Sequence, residues 1–205
     1  MLLLDSATQH ACIALSNHKN ILDEVHLDGR KGLSEQLLPT INKLLQKHRI
    51  HPEDLKCIAC GQGPGSYTGT RVGAMVAKAL SYANQTPLLG FCSLEAWTPE
   101  EEGQFVNLID AKVSGVYLSK GEKTKDGFSF QPPQVCSLEN ADPILREADF
   151  VLTTDFASLS KKFPSLRLIE AKPNGKHMIE LIWNRWINKD YSLTSDLNLL
   201  YLRDI

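Results

Sequence analysis

The second half of this chain starts the pattern of the first half again, and that repeat limits the fold more than any other feature. Leu2-Leu3-Leu4-Asp5 is an apolar run ending in aspartate, and Phe105-Val106-Asn107-Leu108-Ile109-Asp110 is another. Laid over each other, Leu3 and Leu4 meet Leu108 and Ile109, Ala11 meets Val116, and Ile13 meets Leu118. In the first copy, residues 1–5 read as a strand and 10–16 alternate as a second. Asn17-His18-Lys19-Asn20 turns the chain, and 21–27 return as a third strand. A helix over 34–48 carries Leu33, Leu37, Ile41, Leu44 and Leu45 at helical spacing, with Pro39 inside it. A strand at 57–60, a glycine-rich turn, a helix to residue 83, a strand at 88–91 and a helix over 93–100 complete this copy. The second copy repeats two strands and a third near Val135, then helix 143–148, strand 150–153, helix 156–163, strand 166–169 and helix 174–188. Two α/β lobes of βββαβαβα type are predicted, residues 1–102 and 103–205, each a mixed sheet covered by helices, with the second lobe reduced.

The glycine-rich turn reads GQGPGSYTGTRVG from Gly61 to Gly73, between an apolar strand and a good helix former. Strand, glycines and helix suggest a phosphate loop, because amides at a helix start attract anions. The spacing rejects it. Pro64, not glycine, lies five residues before Gly69, and Arg71 follows only after Thr70, so this is no Walker loop. The third glycine of a dinucleotide loop would fall at Ser66 or Thr68, and Pro64 and Thr68 flank Ser66 where a nucleophile elbow needs glycines. Gly63, Gly65, Gly69 and Gly73 are therefore structural.

A net charge of −2 gives no general pull toward nucleic acid or an anionic membrane. The Leu2-Leu3-Leu4 run stops at Asp5, too short for a signal peptide or a span, so the cytoplasm is the expected location and no membrane is an expected partner. Five cysteines are scattered, and Cys57-x-x-Cys60 has no second pair. On a strand, positions three apart point to opposite faces, so those two thiols do not converge. Reduced, buried thiols are expected, and with no metal-binding histidine spacing, no metal site.

Two related lobes, each with an aspartate closing its first strand, form the plan of the actin, Hsp70 and sugar-kinase (ASKHA) superfamily. A closer resemblance is carried by Leu4-Asp5-Ser6-Ala7-Thr8, GPGSYTGTRVG, Ile109-Asp110-Ala111-Lys112 with Val116-Tyr117, and Tyr201-Leu202-Arg203. Spread over nearly the whole chain, these motifs resemble the TsaB (YeaZ) family, the glycine stretch most specifically. The resemblance implies a bacterial partner subunit without a catalytic centre of its own. It implies pairing with a related catalytic subunit, TsaD, helped by the ATPase TsaE, in transferring threonylcarbamoyl from an adenylate to an adenosine of tRNA. ATP and the threonylcarbamoyl adenylate are then used by the complex and no cofactor is bound by this chain alone. The tRNA is met only through the complex, and a homodimer is the alternative assembly.

The residues agree with a non-catalytic role. An ATP site of this superfamily needs phosphate grips on both lobes, an aspartate for the metal's water and a glycine-rich adenosine loop. Asp5, Ser6 and Thr8 offer one hydroxyl-bearing turn, but Asp110-Ala111-Lys112-Val113 lacks paired glycines and hydroxyls, and Gly175 stands alone after Asp149. Half a clamp does not hold a triphosphate in reacting geometry. Asp5, Ser6, Thr8 and Asp110 thus read either as a vestigial nucleotide loop or as strand-end turns, and no catalytic residue is expected. The rival reading is a stand-alone ATPase or small-molecule kinase of the same fold, which would turn over nucleotide unaided. A metalloprotease would need a ligand cluster that the sequence lacks.

Gly69, Gly73 and Ala77 fall four apart, a nearly side-chain-free helix face that packs either on its own sheet or on another helix. The neighbouring face, Met75, Lys78, Ala79 and Tyr82, is the candidate partner face, and Arg71 either pairs across it or caps the loop. Leu33, Leu37 and Ile41 are expected to form its second wall, partly uncovered by the core. Leu33 stands where the family often has a histidine before Ser34-Glu35, a packing variation. Tyr201 and Arg203 are expected to be ordered only by docking on the second-lobe sheet.

Overall fold

The computed structural model describes residues 1–189, 191 and 197–202. In the first half, β1 (Leu2–Asp5), β2 (His10–Asn17) and β3 (Asn20–Asp28) form a meander, followed by α1 (Leu33–Lys47), β4 (Ile58–Gly61), α2 (Tyr67–Asn84) and β5 (Leu88–Phe91). The second half supplies β6 (Gly103–Asp110), β7 (Val116–Thr124), β8 (Gly127–Phe130), β9 (Gln134–Cys136), α3 (Leu138–Arg146) and β10 (Phe150–Thr153). It closes with α4 (Phe156–Lys162), β11 (Leu168–Glu170) and α5 (Gly175–Ile187).

The repeat read from sequence is present as topology. One sheet runs β3-β2-β1-β4-β5 and the other β8-β7-β6-β10-β11, with β9 also on β7. In both, hairpin-linked strands pair antiparallel and strands reached through a helix pair parallel to the first, as short turns and crossovers respectively require. Alternation along β1 then sorts the core: Leu2 and Leu4 face α1 and α2, while Leu3 faces the other lobe. That second face shares one core with Phe105, Ile109 and Leu152 of the second sheet and Met178, Ile179 and Ile182 of α5. Val106, Leu108 and Leu118 point the opposite way, onto Ala141 and Leu145 of α3 and Leu159 of α4. The layers are therefore helices, sheet, shared core with α5, sheet, helices.

Several elements depart from the sequence reading. The helix expected over 93–100 is one 3-10 turn, Ser93–Glu95, because Pro99 disfavours helical backbone at Thr98. Helix α3 starts at Leu138, where the Ser137 hydroxyl accepts the Asn140 amide at 3.3 Å. Helix α5 follows the second sheet in sequence but packs on β2, β3 and β5. Its first amide, Gly175 N, donates to Glu24 Oε2 at 2.7 Å, and Arg185 donates to the Gly90 carbonyl at 2.6 Å. Cys57 and Cys60 face opposite cores, and all five cysteines are buried and free of disulfides. Among the described residues, no helix is long and apolar enough to cross a membrane.

Candidate functional site

Half of the glycine stretch is helix rather than loop. Ser66 is the N-cap of α2, its hydroxyl accepting the Gly69 amide at 3.1 Å, so Gly69 and Gly73 lie in the first turns. They are glycines because α2 touches the turn after β1. A Cβ on Gly69 would stand 2.2 Å from the Ser6 carbonyl oxygen, and one on Gly73 2.1 Å from Ser6 Oγ. Ser6 Oγ instead donates to the Gly69 carbonyl at 2.8 Å. The small face of α2 is therefore used inside its own lobe. Gly63 and Gly65 form the loop proper, where the Gly63 amide donates to Ser93 Oγ at 3.1 Å.

Among the described residues, the opposite face of α2 is uncovered beyond its first turns. Arg71, Met75, Ala79 and Tyr82 are exposed in one stripe, Met75 at 67% and Tyr82 at 80%, with Lys78 half-buried beside them. Tyr67, one turn earlier, extends the stripe. The tail meets this face rather than the second-lobe sheet. Leu197 is buried in the first-lobe core, and the Leu200 amide donates to the Gln62 carbonyl at 2.8 Å. Tyr201 then accepts from Arg71 Nε at 3.0 Å, while the guanidinium lies 3.7 Å from the Tyr67 ring centre. Arg71 is held between two tyrosines and does not cap the loop, and Arg203 lies outside the described residues.

Leu33, Leu37 and Ile41 do not form a second wall. They are 6%, 1% and 1% exposed, packed into the first-lobe core with Leu44 and Leu45. The periodic stripe of α1 is as wide as the sheet face it covers, so only Leu38 points outward, at 49% exposed.

Between the lobes lies a cavity of about 620 Å³, with Thr8 and Gln9 on one side and Asp110, Lys112, Asp155 and Ser158 on the other. Asp5 and Ser6 are turned beneath the glycine loop. Asp5 Oδ1 accepts the Ala7 amide at 3.0 Å, while Oδ2 lies against Gly61 without a hydrogen bond. Burial pushes Asp5 up to about 6, opposed in part by the Ala7 amide that donates to Oδ1. Asp110 makes the same strand-end turn, Oδ1 accepting the Lys112 amide at 2.8 Å. It also receives Lys162 Nζ at 2.7 Å and Ser158 Oγ at 2.5 Å. Burial alone would raise Asp110, but Lys162, Ser158 and Lys112 outweigh it and hold the carboxyl at about 2. No sequence motif marks Ser158 or Lys162, because α4 reaches Asp110 only through the fold.

Cys12, Glu24 and His26 are the one group among the described residues with ligand atoms close enough for a metal, within 4.8 Å. Glu24 is already committed to His26 Nε2 at 2.6 Å and to the Gly175 amide, and Cys12 is fully buried in the shared core. Through Glu24 the cluster holds the first amide of α5.

Two lobes of one topology, with a cleft between them, define the class: an α/β protein of the actin, Hsp70 and sugar-kinase type. The solved structure of YeaZ from Pseudomonas aeruginosa is similar over 98% of both chains, with a TM-score of 0.80 at 21% identity. A family model described as TsaD, tRNA N6-adenosine threonylcarbamoyltransferase, matches residues 25–131. The tRNA threonylcarbamoyladenosine biosynthesis protein TsaB of Haemophilus influenzae is 28% identical, covering 100% of this chain and 93% of that protein. The protein of the same name from Bacillus subtilis is 30% identical over 73% of this chain and 67% of its own length. The chain belongs to the TsaB family, within the wider domain family of TsaD.

Proposed function

We propose that this chain serves tRNA threonylcarbamoyladenosine formation as a non-catalytic partner subunit, and that the exposed face of α2 seats a related TsaD-type catalytic subunit. The observation that carries this reading is the outward stripe of Arg71, Met75, Ala79 and Tyr82 on a helix whose other face is fully packed. Large apolar and aromatic side chains in contiguous exposure, rimmed by Lys78 and Arg71, are the composition of a protein interface. An 18-residue helix spans about 27 Å, enough to anchor a contact of about 800 Å² per partner. Ala79 sits mid-stripe, where a small side chain lets a partner helix approach closely. Tyr201 fixes the Arg71 guanidinium before docking and so lowers the ordering cost of the contact. Pairing of two copies through the same face is the competing assembly.

In this reading ATP and the threonylcarbamoyl adenylate belong to the assembled complex, together with a TsaE-type ATPase, in the cytoplasm. The complex also meets the tRNA, since a net charge of −2 gives this chain no broad attraction to phosphate. What favours a partner over a stand-alone kinase is that Asp5 and Ser6 are turned away from the cleft while Asp110 is ion-paired within the chain. The experiment is to incubate the purified chain with ATP, threonine, bicarbonate and tRNA, with and without the TsaD- and TsaE-type subunits and the enzyme that forms the adenylate. Modified tRNA forming only when all are present supports the reading. ATP turnover by the chain alone overturns it.

A further inference from the structure

The second-lobe side of the cleft does not fit the divalent ion that a nucleotide-binding actin-like fold implies. A carboxylate offers about four acceptor positions, and Asp110 uses all of them within the chain. Oδ1 accepts from Lys162 Nζ at 2.7 Å and from the Lys112 amide at 2.8 Å. Oδ2 accepts from Ser158 Oγ at 2.5 Å and from Lys112 Nζ at 3.4 Å. Asp155 Oδ2, beside them, accepts the Asp110 amide at 3.0 Å. Across the cleft, the counterpart Asp5 cannot help: a Cβ on Gly61 would stand 1.9 Å from its Oδ2, so that oxygen is pressed under the loop. Magnesium needs octahedral space for several waters and at least one free carboxylate oxygen. Here an ammonium already stands at hydrogen-bond distance from the only buried carboxylate that lines the cavity among the described residues.

We infer that Lys162 is the resident cation at Asp110, on the second-lobe wall of the cleft, its ammonium filling the position that a divalent metal ion would take. The lysine supplies the charge balance without the coordination sphere, so the cleft keeps its shape and is closed to metal-bound nucleotide. Lys112, at the mouth and more exposed, adds a second positive charge that further opposes an incoming cation. The inference reaches beyond partner docking and is read by cation binding alone, so either can fail while the other stands.

Manganese, whose free-ion paramagnetic resonance signal disappears on binding, serves as the probe and is titrated into the whole chain. The unsubstituted chain is expected to show no site tighter than about 1 mM. Lys162→Ala, which vacates the position, is expected to gain a site at least tenfold tighter, and adding Asp110→Asn to it is expected to abolish that gain. Tight manganese binding by the unsubstituted chain that Asp110→Asn removes would overturn the inference. So would a Lys162→Ala variant with native circular dichroism that binds no better than its parent. If Lys162→Ala does not fold, Lys162→Gln takes its place under the same criteria.

Discussion

Lys162→Met keeps most of the side-chain volume of Lys162 and removes the ammonium that sits 2.7 Å from Asp110 Oδ1, which makes it a clean measure of this pair. Asp110 is 2% exposed and Lys162 25%, so solvent screens the pair only partly. The carboxyl is held at about 2 against an ordinary 3.8. At about 1.4 kcal/mol per unit, the depressed value corresponds to about 2 kcal/mol of folding stability. Because the folded value lies below the unfolded one, that stability is fully present above pH 4 and is lost as pH falls toward 2. Without the ammonium, burial is opposed only by Ser158 and Lys112, and most of the 2 kcal/mol should go. Urea denaturation at pH 7 should therefore show Lys162→Met about 2 kcal/mol less stable at an unchanged m-value, with the deficit about halved at pH 3. A variant as stable as its parent at pH 7, or a deficit equal at both pH values, would refute the pairing as a source of stability.

Gly69→Ala would place a Cβ 2.2 Å from the Ser6 carbonyl oxygen, a backbone atom that cannot rotate away. Overpacking of about 1–3 kcal/mol should outweigh the roughly 1 kcal/mol of helix propensity gained, and a lower urea midpoint is the readout. Asp5→Asn tests the opposite electrostatic case, since Asp5 is fully buried and raised to about 6. The folded state there binds a proton more tightly than the unfolded, so stability should fall by about 2–3 kcal/mol as pH rises from 4 to 7, and the asparagine variant should lose that slope. Identical pH slopes for parent and variant would contradict it.

The repeated architecture was legible because both lobes keep period-two apolar strands ending in aspartate, and alternation along Leu2, Leu3 and Leu4 already decides which face meets which layer. The spacing of Gly69, Gly73 and Ala77 encodes a helix face, but the glycines hide where α2 begins; Ser66, three residues before Gly69, carries that signal and puts Tyr67 on the same face as Arg71. The apolar spacing of α1 encodes the helix but not how much of its stripe is covered, because periodicity gives the width of a stripe and not the width of the sheet beneath it. That the tail docks on the first lobe is not legible in sequence, since nothing local in Leu197–Tyr201 encodes the Gln62 carbonyl that receives Leu200. The cleft could be read only in half: the Asp5 and Asp110 turns follow from local spacing, whereas the α4 lysine that occupies Asp110 arrives through tertiary structure.

The partner face itself is tested most directly by Ala79→Arg, which puts a long charged side chain in the middle of the α2 stripe without entering the core, since Ala79 is exposed. The measurement is the dissociation constant of the chain for a TsaD-type subunit, alongside thermal unfolding of the variant and a Val113→Arg control on the fully exposed second-lobe turn. Docking through α2 requires at least a tenfold loss of affinity, about 1.4 kcal/mol, for Ala79→Arg with unfolding unchanged and the control unaffected. A variant that binds as tightly as its parent would contradict it.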